Sequence, residues 1–288
     1  MNFKTIYKSS ILAAMTAAVL TSCVKDDLYD TPHPESGKLS VSADWSDKGE
    51  GIDTPAKWNI AIGDYYGEET ETTHKPDYMF EPGDYSLLAW NTAEGISVSG
   101  TTATATYTYG QIGWLFTHAR PITIARDRDH IFMASMHQQV HLLTIVLDIE
   151  GDASDRITGI DADLTGVASS LDFAQNEHGT PVAVGMTFRK SEQPGARSGG
   201  VARWVATKRL LGVAGASQQF SAVIRFADGN PQAVTVNSDL TADLKDFNSG
   251  KTIPVTLDGK LVVVPTQSGV TATIQKWESL DDWNVDAF

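Results

Sequence analysis

Apolar and polar residues alternate along most of this chain. A period of two commits a segment to a β-strand with one buried face. Leu39, Val41, Ala43 and Trp45 share one phase, and Lys38, Ser40, Ser42 and Asp44 the other. Trp58, Ile60 and Ile62 repeat the pattern, as do Tyr85, Leu87 and Ala89, Ile122 and Ile124, Ile131 and Met133, and Leu143 through Ile149. Further strands are expected over 102–108, 157–164, 182–188, 204–211, 233–236, 253–257, 261–264 and 270–274, and Phe220, Ala222, Ile224 and Phe226 alternate cleanly. Turns fall at Pro82-Gly83-Asp84, Asp228-Gly229-Asn230-Pro231 and Asp258-Gly259. Only 240–247 suggests a helical turn. The stretches 64–77 and 189–200 read as long polar loops. Many short strands with frequent turns give an all-β chain. The interruption at Gly151-Asp152-Ala153-Ser154-Asp155 divides it into two tandem β-sandwich domains, 38–150 and 151–288.

The first residues carry a different message. Lys4 and Lys8 precede an apolar run over 11–20, and Leu20-Thr21-Ser22-Cys23 follows, the order of a secretory signal. The run falls short of the ~20 residues that span a bilayer. Cys23 is the only cysteine, so it has no partner for an internal disulfide. Its setting resembles the lipobox of bacterial lipoproteins, which implies a signal peptide over 1–22 and acylation of Cys23. Several acyl chains exceed the two-signal threshold for stable anchoring. Lys25, Asp26 and Asp27 follow at once and resemble the surface-export signal of Bacteroidales-type lipoproteins. Residues 23–37, with Pro32 and Pro34, read as a lipidated acidic tether.

Removing residues 1–22 takes away two lysines and no acid, so the formal charge of −14 becomes −16. That balance disfavours nucleic acid, whose phosphates demand a basic face. The search for catalytic chemistry finds little. No G-x-S-x-G elbow occurs, and a lipidated Cys23 leaves no free thiol. His137 and His141 stand four apart, a zinc spacing on a helix but about 13 Å on a strand. His130 reads as a turn residue. Asp161, Asp163, Thr165, Gly166 and Asp172 match a calcium loop only in part, and read better as a strand end and turn. The acid pairs Glu68-Glu69 and Asp281-Asp282 select no glycosidase couple. Trp45, Trp58 and Trp90 fall in phase with strands, as core residues would. No enzyme, metal site or cofactor is expected.

Several phrases carry a resemblance over about residues 23–280: Leu28-Tyr29-Asp30, Pro82-Gly83-Asp84-Tyr85, Leu115-Phe116-Thr117, His137-Gln138-Gln139-Val140, Leu210-Leu211-Gly212-Val213-Ala214 and Ala272-Thr273-Ile274 with Trp277. The chain resembles the minor-fimbrillin anchor family of type V pili and related Bacteroidales fimbrial subunit-like lipoproteins. The resemblance implies two transthyretin-like β-sandwiches, outer-membrane display through lipid on Cys23, and pilus subunits as partners that bind by strand addition. The alternative is a surface glycan-binding lipoprotein of a polysaccharide-uptake system, which would show two or three exposed aromatics on one face.

Overall fold

The computed structural model describes residues 35–108, 110–151, 154–191, 202–227, 229, 233–266 and 269–279. The expected signal, most of the tether and residues 192–200 of the second expected loop lie outside them. The fold is all-β. The first ten strands are β1 (Lys38–Asp44), β2 (Trp58–Ile62), β3 (Tyr65–Glu69), β4 (Thr73–His74), β5 (Gly83–Asn91), β6 (Ile96–Ser99), β7 (Thr102–Ala105), β8 (Phe116–Ile124), β9 (Asp129–Ser135) and β10 (His137–Gln138). Eight of them make a small sheet in the order β4-β1-β9 and a larger one in the order β10-β8-β5-β2-β3. Leu39, Val41 and Ala43 of the small sheet meet Trp58, Ile60, Ile62, Leu87 and Phe116 of the larger in one core. Each such side chain removed from water contributes roughly 1.5–3 kcal/mol.

The stretch 64–77, expected as a loop, holds two strands. Ile62 pairs with Tyr65 across Gly63 and Asp64, so β2 and β3 form a two-residue hairpin. Its inward side is polar rather than apolar, which hid it. Tyr65 Oη lies 2.6 Å from His74 Nε2, and His74 Nδ1 lies 3.1 Å from Glu69 Oε2. This chain of contacts joins the outer strands β3 and β4 of the two sheets. Hydrogen bonding from the Glu71 amide holds the Glu69 carboxyl below its ordinary value.

The later strands are β11 (His141–Glu150), β12 (Ile157–Asp172), β13 (Glu177–Lys190), β14 (Ala202–Leu210), β15 (Gln219–Phe226), β16 (Val234–Asp239), β17 (Val255–Thr266) and β18 (Gly269–Ser279). They run β16-β15-β12-β13-β14-β11-β17-β18. β13 pairs with β12 along its length and with β14 only at Arg189 and Lys190, so it carries the chain from one layer to the next. The path curls back until its end strands meet. Trp277 Nε1 of β18 donates to Ser238 Oγ of β16 at 2.7 Å, and the Trp277 ring stands edge-on to Phe220. The interior is filled by Leu143, Ile145, Leu147, Ile160, Leu164, Phe188, Phe220 and their neighbours.

Two pieces of the N-terminal half belong to this second body. β11 pairs with β14 and β17, and the β6–β7 hairpin extends β12 through Ser170–Thr104, Leu171–Ala103 and Asp172–Thr102. Gly151, at the expected domain break, is a bend inside the second body. Its φ is 121°, and a Cβ there would strike the Val263 carbonyl. Between the bodies lies a separate apolar cluster of Ala93, Ala103, Ile112, Leu115, Val140, Leu171 and Leu211.

Candidate docking edge and domain junction

β9 has the sequence Asp129-His130-Ile131-Phe132-Met133-Ala134-Ser135, with apolar residues in both phases. Alternation alone therefore leaves its orientation open. Ile131 and Met133 were the expected inward pair, and the structure reverses this. Ala134 is fully buried and Phe132 packs against the first core, while Ile131 is 83% and Met133 58% exposed. The partner strand decides the phase. Leu39, Val41 and Ala43 of β1 must face in, and their register partners are His130, Phe132 and Ala134. The His130 ring stacks parallel to Phe132 at 5.8 Å, and the Arg120 guanidinium sits 5.9 Å from the same ring.

Among the described residues β9 pairs only with β1, and the pair is parallel. Lys38 N donates to Arg128 O, and Met136 N donates to Asp44 O. Those bonds turn the even-numbered residues of β9 toward β1. In a parallel ladder the odd-numbered amides and carbonyls then point to the other edge. His118 Nδ1 donates to the Ser135 carbonyl at 3.1 Å, which covers that end of the edge. Asp129, Ile131 and Met133 leave a short run of strand edge beside two exposed apolar side chains. Native sheets usually blunt such edges with charge or cover.

The second feature is the joint between the bodies. His137-Gln138-Gln139-Val140 leads from β10 into β11. Gln138 Oε1 accepts from Gly49 N at 2.8 Å, while its Nε2 donates to Val140 O and Lys251 O. Gln139 Nε2 donates to Thr117 Oγ1, and its Oε1 accepts from Lys251 Nζ at 2.7 Å. The two glutamines thus pin residues of the first body to the segment 240–254 of the second. Each is buried, with its amide oxygen and nitrogen both bonded. Polar side chains at this depth are tolerated because they are satisfied.

The residues weighed against a metal site have other contacts. His137 lies on the surface with Nδ1 2.7 Å from Asp47 Oδ2, whereas His141 is completely buried. His130 was expected in a turn and instead lies in β9, from where its Nε2 accepts from Ala125 N across the preceding turn. Asp161 accepts from Thr187 Oγ1 and pairs with Arg225, and Asp172 accepts from the amides of Ala174 and Gln175. Among the described residues no three His, Cys, Asp or Glu side chains gather around one point. Cys23, Lys25, Asp26 and Asp27 lie outside the described residues.

Aromatic exposure is scattered. Trp58 is 2% exposed, a core residue as expected. Trp90 is half-buried and inclined 47° to the exposed Tyr66, whose hydroxyl donates to Asn59. Tyr78 packs edge-on to Phe80. Among the described residues, the tilted Tyr66–Trp90 pair and the edge-on Tyr78–Phe80 pair present no coplanar face.

The chain is an all-β protein of two bodies with an exposed apolar strand edge. A family model for fimbrillin-A associated anchor proteins Mfa1 and Mfa2 matches residues 60–283, and the chain belongs to that family. The fold is similar to the fimbrial anchor protein Mfa2 from Porphyromonas gingivalis, with a TM-score of 0.55 and 10% identity over 85% of this chain and 98% of that one. An adhesin candidate from Bacteroides ovatus gives 0.56 and 11% over 76% and 87%. A polysaccharide-binding candidate from Bacteroides thetaiotaomicron gives 0.51 and 10% over 87% and 99%. No curated protein sequence matches the chain.

Proposed function

We propose that this chain is a surface lipoprotein that tethers a pilus to the outer membrane, and that a strand of a pilus subunit docks on β9. The observation that carries the reading is the open apolar edge at Ile131 and Met133 in a member of an anchor family. A visiting strand would satisfy the outward amides and carbonyls and lay alternate side chains against Ile131 and Met133. Lipid on Cys23 would hold the other end. Lys25, Asp26 and Asp27 would direct the protein to the cell exterior. No enzymatic step is part of this reading.

The geometry suits a protein under tension. Ser36 O accepts from Asp127 N, and Gly37 exchanges two backbone bonds with Phe80, so the chain enters β1 beside the start of β9. A pull from the lipid runs along β1 into its parallel neighbour. All seven register pairs from Lys38–Asp129 to Asp44–Ser135 then share the load in shear. Residues 24–37 could extend at most roughly 50 Å between lipid and fold.

The test is made on cells that carry pili. Labelled palmitate should enter the wild-type protein and not Cys23→Ala. Deletion should release fibres into the medium, and Cys23→Ala should bind fibres without retaining them on the cell. Fibres that stay attached after deletion would remove the anchor role. Replacing Lys25, Asp26 and Asp27 by Ala should abolish digestion of the protein by external protease on intact cells. Unchanged digestion would reduce those residues to tether.

A further inference from the structure

The segment 240–254, between β16 and β17, closes over the joint between the bodies. Leu240, Leu244 and Phe247 are buried, and Leu244 N donates to Leu240 O in a single helical turn. Asn248 accepts from Val213 N and donates to Val213 O at 2.8 and 2.9 Å. Gly212 lies against this anchor with φ at 149°, and a Cβ there would strike the His178 ring and Asn248 Oδ1. Lys251 Nζ donates to Gln139 Oε1 and Asn176 Oδ1, and its carbonyl accepts from Gln138.

Beneath the segment lie two histidines. The His141 ring is stacked on Phe247 at 4.7 Å, is wholly buried, and has no hydrogen-bond partner for either nitrogen. His178 Nε2 is likewise buried without a partner. The charged groups that act on His141 are Lys251 from the segment and His178 from β13, and Lys251 also acts on His178. Among the described residues no carboxylate offsets them. Asp243, Lys245 and Asp246 of the segment and Glu177 of β13 are exposed. Arg209 of β14 donates to Ile112 O, and Lys208 to Gly110 O. A proton on His141 would add positive charge to a dry site that already holds an ammonium, with nothing to receive it, while at His178 backbone hydrogen bonding at Leu211 and Asn176 offsets part of the same cost.

We propose that the segment 240–254 is an acid-released latch: it couples the two bodies while His141 and His178 are neutral, and opens when they take up protons. Opening exposes both rings to water and breaks the Lys251 bonds to Gln139 and Gln138 that reach the first body. Burial, then Lys251, then His178 hold His141 down at about 3, and burial and Lys251 hold His178 at about 4. Water returns both toward the ordinary 6.5, so acid favours the open form between those values. From pH 7.5 to 5 the opening equilibrium should rise roughly 30-fold through His141 alone.

Hydrogen exchange on the full chain, corrected for intrinsic rates, tests this independently of any pilus. Protection in 240–254 and 137–141 should fall between pH 7.5 and 5, while β12 and β15 keep theirs. His141→Phe preserves the stack on Phe247 and should remove about 30-fold of the change. His178→Gln serves as a second variant should the first not fold, and should also blunt the response. Protection that is flat with pH, or lost equally in β12, would overturn the latch. So would a full pH response in a folded variant.

Discussion

The two bodies treat their sheet edges in opposite ways. The second curls until β16 and β18 meet through Ser238 and Trp277, and places Phe188, Phe220 and Trp277 edge-to-face inside. The first leaves β9 at the margin of a three-stranded sheet, with Ile131 and Met133 in water. End strands that meet through side chains cover part of their edges, whereas an edge with exposed apolar side chains invites pairing, wanted or not. The contrast puts the larger apolar core in the second body and the exposed apolar edge in the first, where the proposed partner strand would dock.

Substitutions should separate those roles. Phe220→Ala empties a fully buried site between Phe188 and Trp277 and should cost about 3–5 kcal/mol in denaturant unfolding. A loss below about 1 kcal/mol would mean that the second body is not the stable half. Gln138→Ala strips partners from Gly49 N, Val140 O and Lys251 O at the joint. It should cost about 2–3 kcal/mol and make the two bodies unfold separately in calorimetry. A single unchanged transition would show that the apolar cluster at Leu115, Val140 and Leu211 couples them without the glutamines.

The histidines beneath the latch give a pH signature. His141 binds its proton more weakly folded than unfolded, so stability is complete above about pH 7 and falls as pH drops through 6.5 toward 3. At pH 5 that amounts to about 2 kcal/mol. His141→Phe should flatten the profile by that amount in melts at matched ionic strength. The smallest effect on stability belongs to β9. Ile131→Ser with Met133→Ser should stay within about 0.5 kcal/mol of wild type, because these side chains gain little burial from folding.

The strand phases were readable wherever one face alone is apolar. Leu39, Val41 and Ala43 in β1 and Phe220, Ala222, Ile224 and Phe226 in β15 are buried as alternation requires. The signal fails where both phases are apolar, as in β9, since only the neighbouring β1 fixes which side faces in. It also fails where the inward face is polar, as at Tyr65, Glu69 and His74, whose burial depends on one another. β12 was expected to stop at Leu164, yet it runs to Asp172. Gly166, with φ at 71°, looks like a turn in sequence and instead marks a bulge where the register shifts between Leu164 and Val167. The joint was not legible: the break was expected at 151–155, and His137-Gln138-Gln139-Val140 stood out only as part of a family resemblance. Its role emerges only once Lys251, more than a hundred residues away, is seen to bond both glutamines. Ile131, Phe132 and Met133 in succession leave the phase of β9 undecided in the sequence, and its exposed edge appears only in the structure.

Site-specific photo-crosslinking in piliated cells tests the central claim most directly. A photoreactive residue placed at Ile131 or Met133 should give an adduct with a pilus subunit. The same residue at Val264, an exposed apolar position on the second body, should give none. Ile131→Asp combined with Met133→Asp should abolish fibre retention while leaving the protein folded on the surface. Equal adducts from both bodies, or fibres held normally by the double variant, would contradict the assignment of the partner strand to β9.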